Sequence, residues 1–252
     1  MECNAMANRT VILIPARYES SRFPGKPLID LVGKPMIIWV AELSSEAVGK
    51  ENVYVATDDD RIAKVVSEWG YNFVMTGPAL TGTDRLAEAA LQIDADIFIN
   101  VQGDETLVNP EDILKIKQVK LSTPESVING YSYVGDDEDP NNVNIPKVIM
   151  NEQDELVYMS RCALPGFKDK KQAPTKYKKQ VCIYAFTKDQ LSQFRDFGRK
   201  SELEYCEDIE ILRFLELGVP VKMIETRPGS LAVDCPEDVS GVENALRKLH
   251  GL

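Results

Sequence analysis

Apolar residues along this chain fall into short β-branched runs that alternate with helix-spaced stripes. Val11–Ile14 has the pattern of a strand buried on both faces, Asn52–Ala56 reads as a second buried strand, Tyr71–Met75 as a third strand and Asp96–Val101 as a fourth apolar one. Pro15 is expected to end the first of them, because it cannot donate to a ladder. Between these runs, Pro35–Leu43 sets Met36, Ile37, Trp39, Val40 and Leu43 on one broad face, and Arg61–Trp69, Leu86–Leu91 and Pro110–Leu121 keep helical spacing. Further along, Ser126–Val134 reads as a strand, Lys147–Tyr158 as a hairpin turning at Asn151–Asp154, and Val181–Phe186 as another strand. Glu202–Leu217 reads as one long helix, Val219–Ile224 and Ser230–Asp234 as strands, and the stretch from Pro236 to Leu249 as a closing helix. Strand–helix alternation of this kind predicts an α/β fold around a parallel sheet with right-handed crossovers.

The polar segments between the runs carry the candidate chemistry. After the first strand, the loop Pro15–Pro27 holds Arg17, Arg22 and Lys26 with two serines and one glycine. Cations and free backbone N–H groups at the carboxyl end of a buried strand suit a polyphosphate. The loop has neither the G-x-x-x-x-G-K-[ST] nor the G-x-G-x-x-G spacing, so side-chain charge would carry more of the binding than backbone amides. A solvated basic loop is the plain alternative. Thr57-Asp58-Asp59-Asp60 ends the second strand and is most economically an N-cap and first-turn cluster, with metal binding as the other reading. In Thr76–Arg85, Thr83 could cap the next helix while Gly82 lets the backbone approach a ligand closely.

Directly after Asp96–Val101 comes Gln102-Gly103-Asp104-Glu105, which places Asp104 where open α/β sheets hold their ligands. Asp104 is the first candidate for Mg²⁺ ligation, with a turn aspartate as the alternative. Asp234 occupies the same kind of position after a later strand, and two such carboxylates could share one hard cation.

Composition narrows the chemistry. With 252 residues the chain can bury a full core, and 44% hydrophobic with 27% charged residues is the balance of a globular protein. No apolar run approaches the ~20 residues of a membrane span, and the first ten residues lack a signal-peptide core, so a cytoplasmic location without membrane contact is expected. Five scattered cysteines, Cys3, Cys162, Cys182, Cys206 and Cys235, show no C-x-x-C spacing, which argues against a disulfide framework or zinc site. A net charge of −11 argues against a nucleic-acid partner. His250 is the sole histidine, so a Ser-His-Asp triad or a His-ligated metal is excluded. The Lys-rich stretch 167–179 reads as a mobile surface loop that could order over an anionic substrate.

Five segments, IPARYESSRFPGKPL at the start, TGTDR at Thr81–Arg85, VQGDE at Val101–Glu105, IEILR at Ile209–Arg213 and VDCPED at Val233–Asp238, together resemble the 3-deoxy-manno-octulosonate (Kdo) cytidylyltransferase family. The resemblance implies a Rossmann-like, mostly parallel sheet flanked by helices, of the nucleotide-diphospho-sugar transferase type, with a smaller sugar-binding and dimerisation lobe. It implies one nucleotidyltransferase domain over 8–252, divided into a nucleotide half (8–135), the smaller lobe (136–205) and closing elements (206–252), with residues 1–7 disordered. It further implies a CTP site built from Ala16, Arg17, Lys26, Gln102 and the Thr81, Gly82 and Arg85 loop, and Mg²⁺ held by Asp104 and Asp234. Gln180, Tyr184 and Glu210 would face the sugar acid, with Arg161 as a further candidate for its carboxylate. The chain departs from the family at two sugar-side positions: Gln180 stands where the family usually has histidine, and Ile211 where it commonly has glutamine. The implied reaction is cytidylyl transfer from CTP to Kdo, its 8-amino analogue or a related acid, by a homodimer, for surface polysaccharide synthesis. Lys26, Arg17 and Asp104 would carry the chemistry. A sugar-1-phosphate nucleotidyltransferase and a non-catalytic nucleotide-binding regulator are the competing readings.

Overall fold

In the computed structural model, residues 8–19, 23–136, 138–227, 233 and 236–251 are described. Arg22, Asp234, residues 1–7 and most of the expected strand Ser230–Asp234 lie outside them. The strands are β1 (Thr10–Ala16), β2 (Asp30–Leu31), β3 (Lys34–Pro35), β4 (Val53–Thr57), β5 (Asn72–Met75), β6 (Ile97–Val101), β7 (Val127–Tyr133), β8 (Lys147–Met150), β9 (Leu156–Ser160), β10 (Lys178–Thr187) and β11 (Val221–Glu225). The helices are α1 (Met36–Val48), α2 (Asp60–Glu68), α3 (Gly82–Ala90), α4 (Pro110–Ser122), α5 (Lys188–Asp196), α6 (Glu202–Glu207), α7 (Leu212–Glu216) and α8 (Val239–His250).

The central sheet has the order β11-β7-β10-β6-β1-β4-β5. β1 runs parallel to both β4 and β6, whereas β10 is antiparallel to β6 and β7. The sheet is therefore mostly parallel and flanked by helices, as the alternation of runs predicts. Its order reverses at β1: the chain first builds outward to β4 and β5, then returns to place β6 on the other side. The crevice outside the carboxyl ends of β1 and β6 is the topological switch point, where sheets of this kind bind ligands.

Two buried layers cover the sheet. One joins Leu13, Leu86, Phe98, Tyr184, Phe186 and Phe214, the other Ile12, Ile14, Ile37, Val55, Ile99 and Ile113. A third cluster places Leu31, Met36, Trp39, Val242 and Leu246 together, so α8 packs on the small β2–β3 hairpin and the start of α1. The β8–β9 hairpin attaches to the sheet through the beginning of β10. The 167–179 stretch is exposed over 167–172 and half-buried toward its end, with one short turn at Lys170–Gln172, and its last two lysines already belong to β10. No described helix is long and apolar enough to cross a membrane.

Three local expectations are corrected, and one helix is added. β1 continues through Pro15: pairing with β6 stops at Leu13, while pairing with β4 persists at Pro15↔Ala56 and Ala16↔Thr57, so the proline sits where one flank has been released. α3 starts at Gly82 instead of Leu86, and its cap is Thr81, whose Oγ1 accepts the Asp84 N–H at 3.1 Å, rather than Thr83. The stretch Glu202–Leu217 is broken, because Asp208 takes a left-handed conformation with φ 50°. Arg161 causes the break to hold: its guanidinium donates to the backbone carbonyls of Glu207 and Asp208, acceptors that a continuous helix would use itself. Finally, α5 forms in a polar segment that apolar spacing does not mark. Its signal is a capping box, with Thr187 Oγ1 accepting the Gln190 N–H and Gln190 Oε1 accepting the Thr187 N–H.

Candidate active site

At the switch point lies a cleft of about 400 Å³. The turn after β1 contributes Ala16, Arg17 and Lys26, the turn after β6 contributes Gln102, Gly103 and Asp104, and the start of α3 contributes Thr81, Gly82 and Arg85. Lys200, Asp208 and Glu210, from the segment around α6 and α7, form the remaining wall. Nine residues expected at the site from sequence thus meet in one cavity. Gln180, Tyr184 and Arg161 are not among those lining it.

Lys26 and Asp104 form the centre of the strand-end wall. Lys26 Nζ donates to Asp104 Oδ2 at 2.7 Å and to the Val233 carbonyl at 2.8 Å, and both side chains are about four-fifths buried. The second bond ties the β1 loop to the residue preceding Asp234. Gly103 makes the close approach possible: a Cβ there would stand 2.7 Å from the Pro15 carbonyl oxygen, inside contact distance. Gly103→Ala is therefore expected to push the β6 exit away from β1 and displace Asp104. A shift of about 1 Å costs roughly 10²-fold in turnover, and steady-state kinetics beside a thermal melt would separate that loss from unfolding.

α3 is pinned from the opposite wall. The Glu210 carboxylate accepts the Gly82 N–H at 2.9 Å, the Thr83 N–H at 2.8 Å and the Thr83 hydroxyl. Burial raises the Glu210 pKa, while these donors work against the shift. The helix N-terminus is thus already capped by protein, and an incoming phosphate would meet side-chain cations rather than these amides. Arg213 locks the same unit. It is fully buried, donates from Nε and Nη2 to Glu204 at 2.6 and 2.7 Å and from Nη1 and Nη2 to Asp84 at 2.8 and 3.1 Å, and lies on the Phe194 ring. Ile211 is fully buried in the core, so its position sends no side chain into the cleft.

Arg85 lines the cleft floor but is spoken for. Only 4% exposed, it donates to Thr76 Oγ1 at 2.6 Å and to Asp58 Oδ2 at 2.8 Å. Asp59 caps α2 through the Arg61 N–H at 2.9 Å. Two of the three aspartates at 58–60 therefore have structural duties, in line with the capping reading. On β10, Gln180 donates to Asn129 Oδ1 at 3.1 Å and to the Tyr184 hydroxyl at 3.4 Å, and burial holds Tyr184 well above the usual phenol range. Arg161 spends its guanidinium on the carbonyls of Val143, Glu207 and Asp208.

Sequence reading missed Lys200 and Asp208. Lys200 Nζ meets Asp208 Oδ1 at 2.6 Å, and this hydrogen bond, together with the charges of Lys200, Arg161 and Arg17, lowers the Asp208 pKa. The left-handed turn that aims Asp208 is invisible to helical periodicity.

For a metal, the donor chemistry is hard oxygen. Among the described residues no group of three His, Cys, Asp or Glu could hold an ion alone. Mg²⁺ commonly needs only one or two carboxylates plus substrate phosphates, and Asp104, beside the cavity and at a strand end, fits that mode.

Fold and cleft define a nucleotidyltransferase. The cytidylyltransferase family model matches residues 11–224, and the chain belongs to that family. It is 36% identical over 230 residues to 3-deoxy-manno-octulosonate cytidylyltransferase of Escherichia coli, covering 91% of this chain and 92% of that protein. It is 40% identical over 247 residues to 8-amino-3,8-dideoxy-manno-octulosonate cytidylyltransferase of Shewanella sp. (strain W3-18-1), covering 94% and 98%. Among solved structures it is similar to CMP:2-keto-3-deoxy-manno-octonic acid synthetase complexed with CTP, with a TM-score of 0.88, 35% identity and coverage of 96% and 99%. A putative glucose-1-phosphate thymidylyltransferase from Bacillus anthracis shares the fold alone, at a TM-score of 0.66 and 17% identity.

Proposed function

We propose that this enzyme transfers CMP from CTP to a free 3-deoxy-octulosonic acid, either Kdo or its 8-amino analogue. The observation that carries the reading is the meeting of Arg17, Lys26, Gln102 and Asp104 in one cleft at the switch point, in a chain whose relatives over nearly their whole length are named for these two activations. The anomeric hydroxyl of the acid attacks the α-phosphorus; the new O–P bond forms as the bond to the β-phosphate oxygen breaks, pyrophosphate leaves and the hydroxyl proton passes to solvent. Such a displacement asks for charge neutralisation and alignment rather than a covalent nucleophile. Arg17 and Lys26 supply positive charge along the triphosphate. Gln102 and the Thr81–Gly82 turn, fixed by Glu210, set the nucleotide's place against β1 and β6. Asp104 would hold a divalent cation, Mg²⁺ on this reading, which when bound withdraws charge from the α-phosphate and makes the attacking hydroxyl more acidic. Gln180 and Tyr184, linked to each other on β10, serve the sugar side, with Glu210 between the two halves of the site.

The enzyme acts in the cytoplasm as a homodimer on this account. Val157, Phe167 and Tyr205 are exposed apolar side chains available to a second copy, and light scattering checks the mass.

Pyrophosphate release tests the reaction. With CTP and Mg²⁺, free octulosonic acids are expected to support release and sugar 1-phosphates are not, and Asp104→Asn should abolish it. Release with sugar 1-phosphates alone would favour the rival transferase, and CTP binding without release would favour a regulator.

A further inference from the structure

The cleft holds more positive charge than the nucleotide reading uses. Among the described residues four cations line it: Arg17, Lys26, Arg85 and Lys200. Arg85 is buried against Asp58 and Thr76, and Lys26 is committed to Asp104 and the Val233 carbonyl. Arg17 stands on the β1 turn and adds its charge to the field at Asp208; in the proposed reaction it neutralises the triphosphate. Lys200 is different in its partner. It lines the cleft with Glu210, and its acceptor is Asp208, whose side chain is 72% exposed. An ion pair with so open a carboxylate is weak and readily exchanged, worth about 0–1 kcal/mol. Arg161, the candidate for a substrate carboxylate read from sequence, is occupied by three backbone carbonyls.

We propose that Lys200 is the residue that binds the carboxylate of the sugar-acid substrate, exchanging the Asp208 carboxylate for it when the acid enters the cleft. The inference rests on the transferase reading for the identity of the acid, but it concerns binding and does not need turnover. Geometry supports the exchange. Asp208 is held by its left-handed turn between α6 and α7, while Lys200 precedes the start of α6 on a flexible four-carbon stem. The lysine can therefore follow a new carboxylate without disturbing the helices. Without the acid, Asp208 balances the charge of the ammonium at 2.6 Å.

The test compares wild type with Lys200→Met, Lys200→Arg and Asp208→Asn. Kdo and 8-amino-Kdo affinities are measured by calorimetry in the presence of a non-hydrolysable CTP analogue, and the CTP analogue's own affinity is measured separately. A charge-assisted contact predicts that Lys200→Met weakens sugar-acid binding about 10–100-fold with CTP-analogue binding unchanged. Lys200→Arg should recover part of the loss, and Asp208→Asn should leave sugar-acid affinity equal or higher. An unchanged sugar-acid affinity in Lys200→Met, or a loss confined to the CTP analogue, overturns the assignment. So does a loss in Asp208→Asn as large as in Lys200→Met, which would trace the effect to the shape of the turn. Wild-type protein that binds an acid but releases no pyrophosphate defeats the transferase reading and leaves this one standing; wild-type protein that binds neither acid defeats it.

Discussion

Lys26→Met is expected to lower kcat/KM for pyrophosphate release by about 10²–10³-fold, the usual cost of removing one preorganised charge from a transferring phosphoryl group. Two losses combine. The cation beside the triphosphate disappears, and Asp104 loses the partner that holds its Oδ2 at 2.7 Å. The bond to the Val233 carbonyl goes as well, so the segment leading to Asp234 loses its tie to the β1 loop. The fold itself should survive, because Lys26 lies at the rim of the core and its methylenes are retained in Met. The measurement is steady-state release at several Mg²⁺ concentrations beside a thermal melt. A melt near wild type with a fall below about 3-fold would show that Lys26 only neutralises Asp104.

Arg213→Met is expected to cost about 3–5 kcal/mol of stability, the penalty for breaking a buried ion pair from one side. Glu204 is fully buried and Asp84 largely so, and both would lose the guanidinium that sits between them. Hydrogen bonds and the neighbouring carboxylates hold the Arg213 pKa above its ordinary value despite burial, so no accessible pH discharges the network from the arginine side. Denaturant titration of wild type and variant gives the difference directly. Equal midpoints would mean that packing of α3, α5 and α7, not the ion network, fixes the cleft wall.

Much of the nucleotide side is legible in the sequence because it depends on short-range signals. A buried apolar run followed by cations, or by Gly103-Asp104, marks a strand end whatever the rest of the fold does. Asp59, in the cluster before a helical stripe, caps α2 as the sequence suggests, and Asn109 caps α4 in the same way. What sequence hides is decided by long-range contacts. Asp208 breaks the stretch 202–217 because Arg161, 47 residues away, claims the carbonyls there, and aspartate is among the few residues that tolerate a left-handed turn. Lys200 is an unremarkable lysine until that turn aims Asp208 at it. Glu210 reads as one acid among many on a helix, and only the fold shows it capping α3 from 127 residues away. Arg161 lost its expected place for the same reason: its partners are backbone atoms, which leave no trace in the order of side chains.

The most direct test of cytidylyl transfer at this cleft is ³¹P NMR of a reaction containing the protein, CTP, Mg²⁺ and an octulosonic acid. The account predicts loss of all three CTP signals and the growth of two products, pyrophosphate and a single CMP phosphodiester, with no change when Asp104→Asn replaces the wild type. Appearance of CDP with inorganic phosphate, or of CMP with no diester, would contradict attack of the sugar acid on the α-phosphorus.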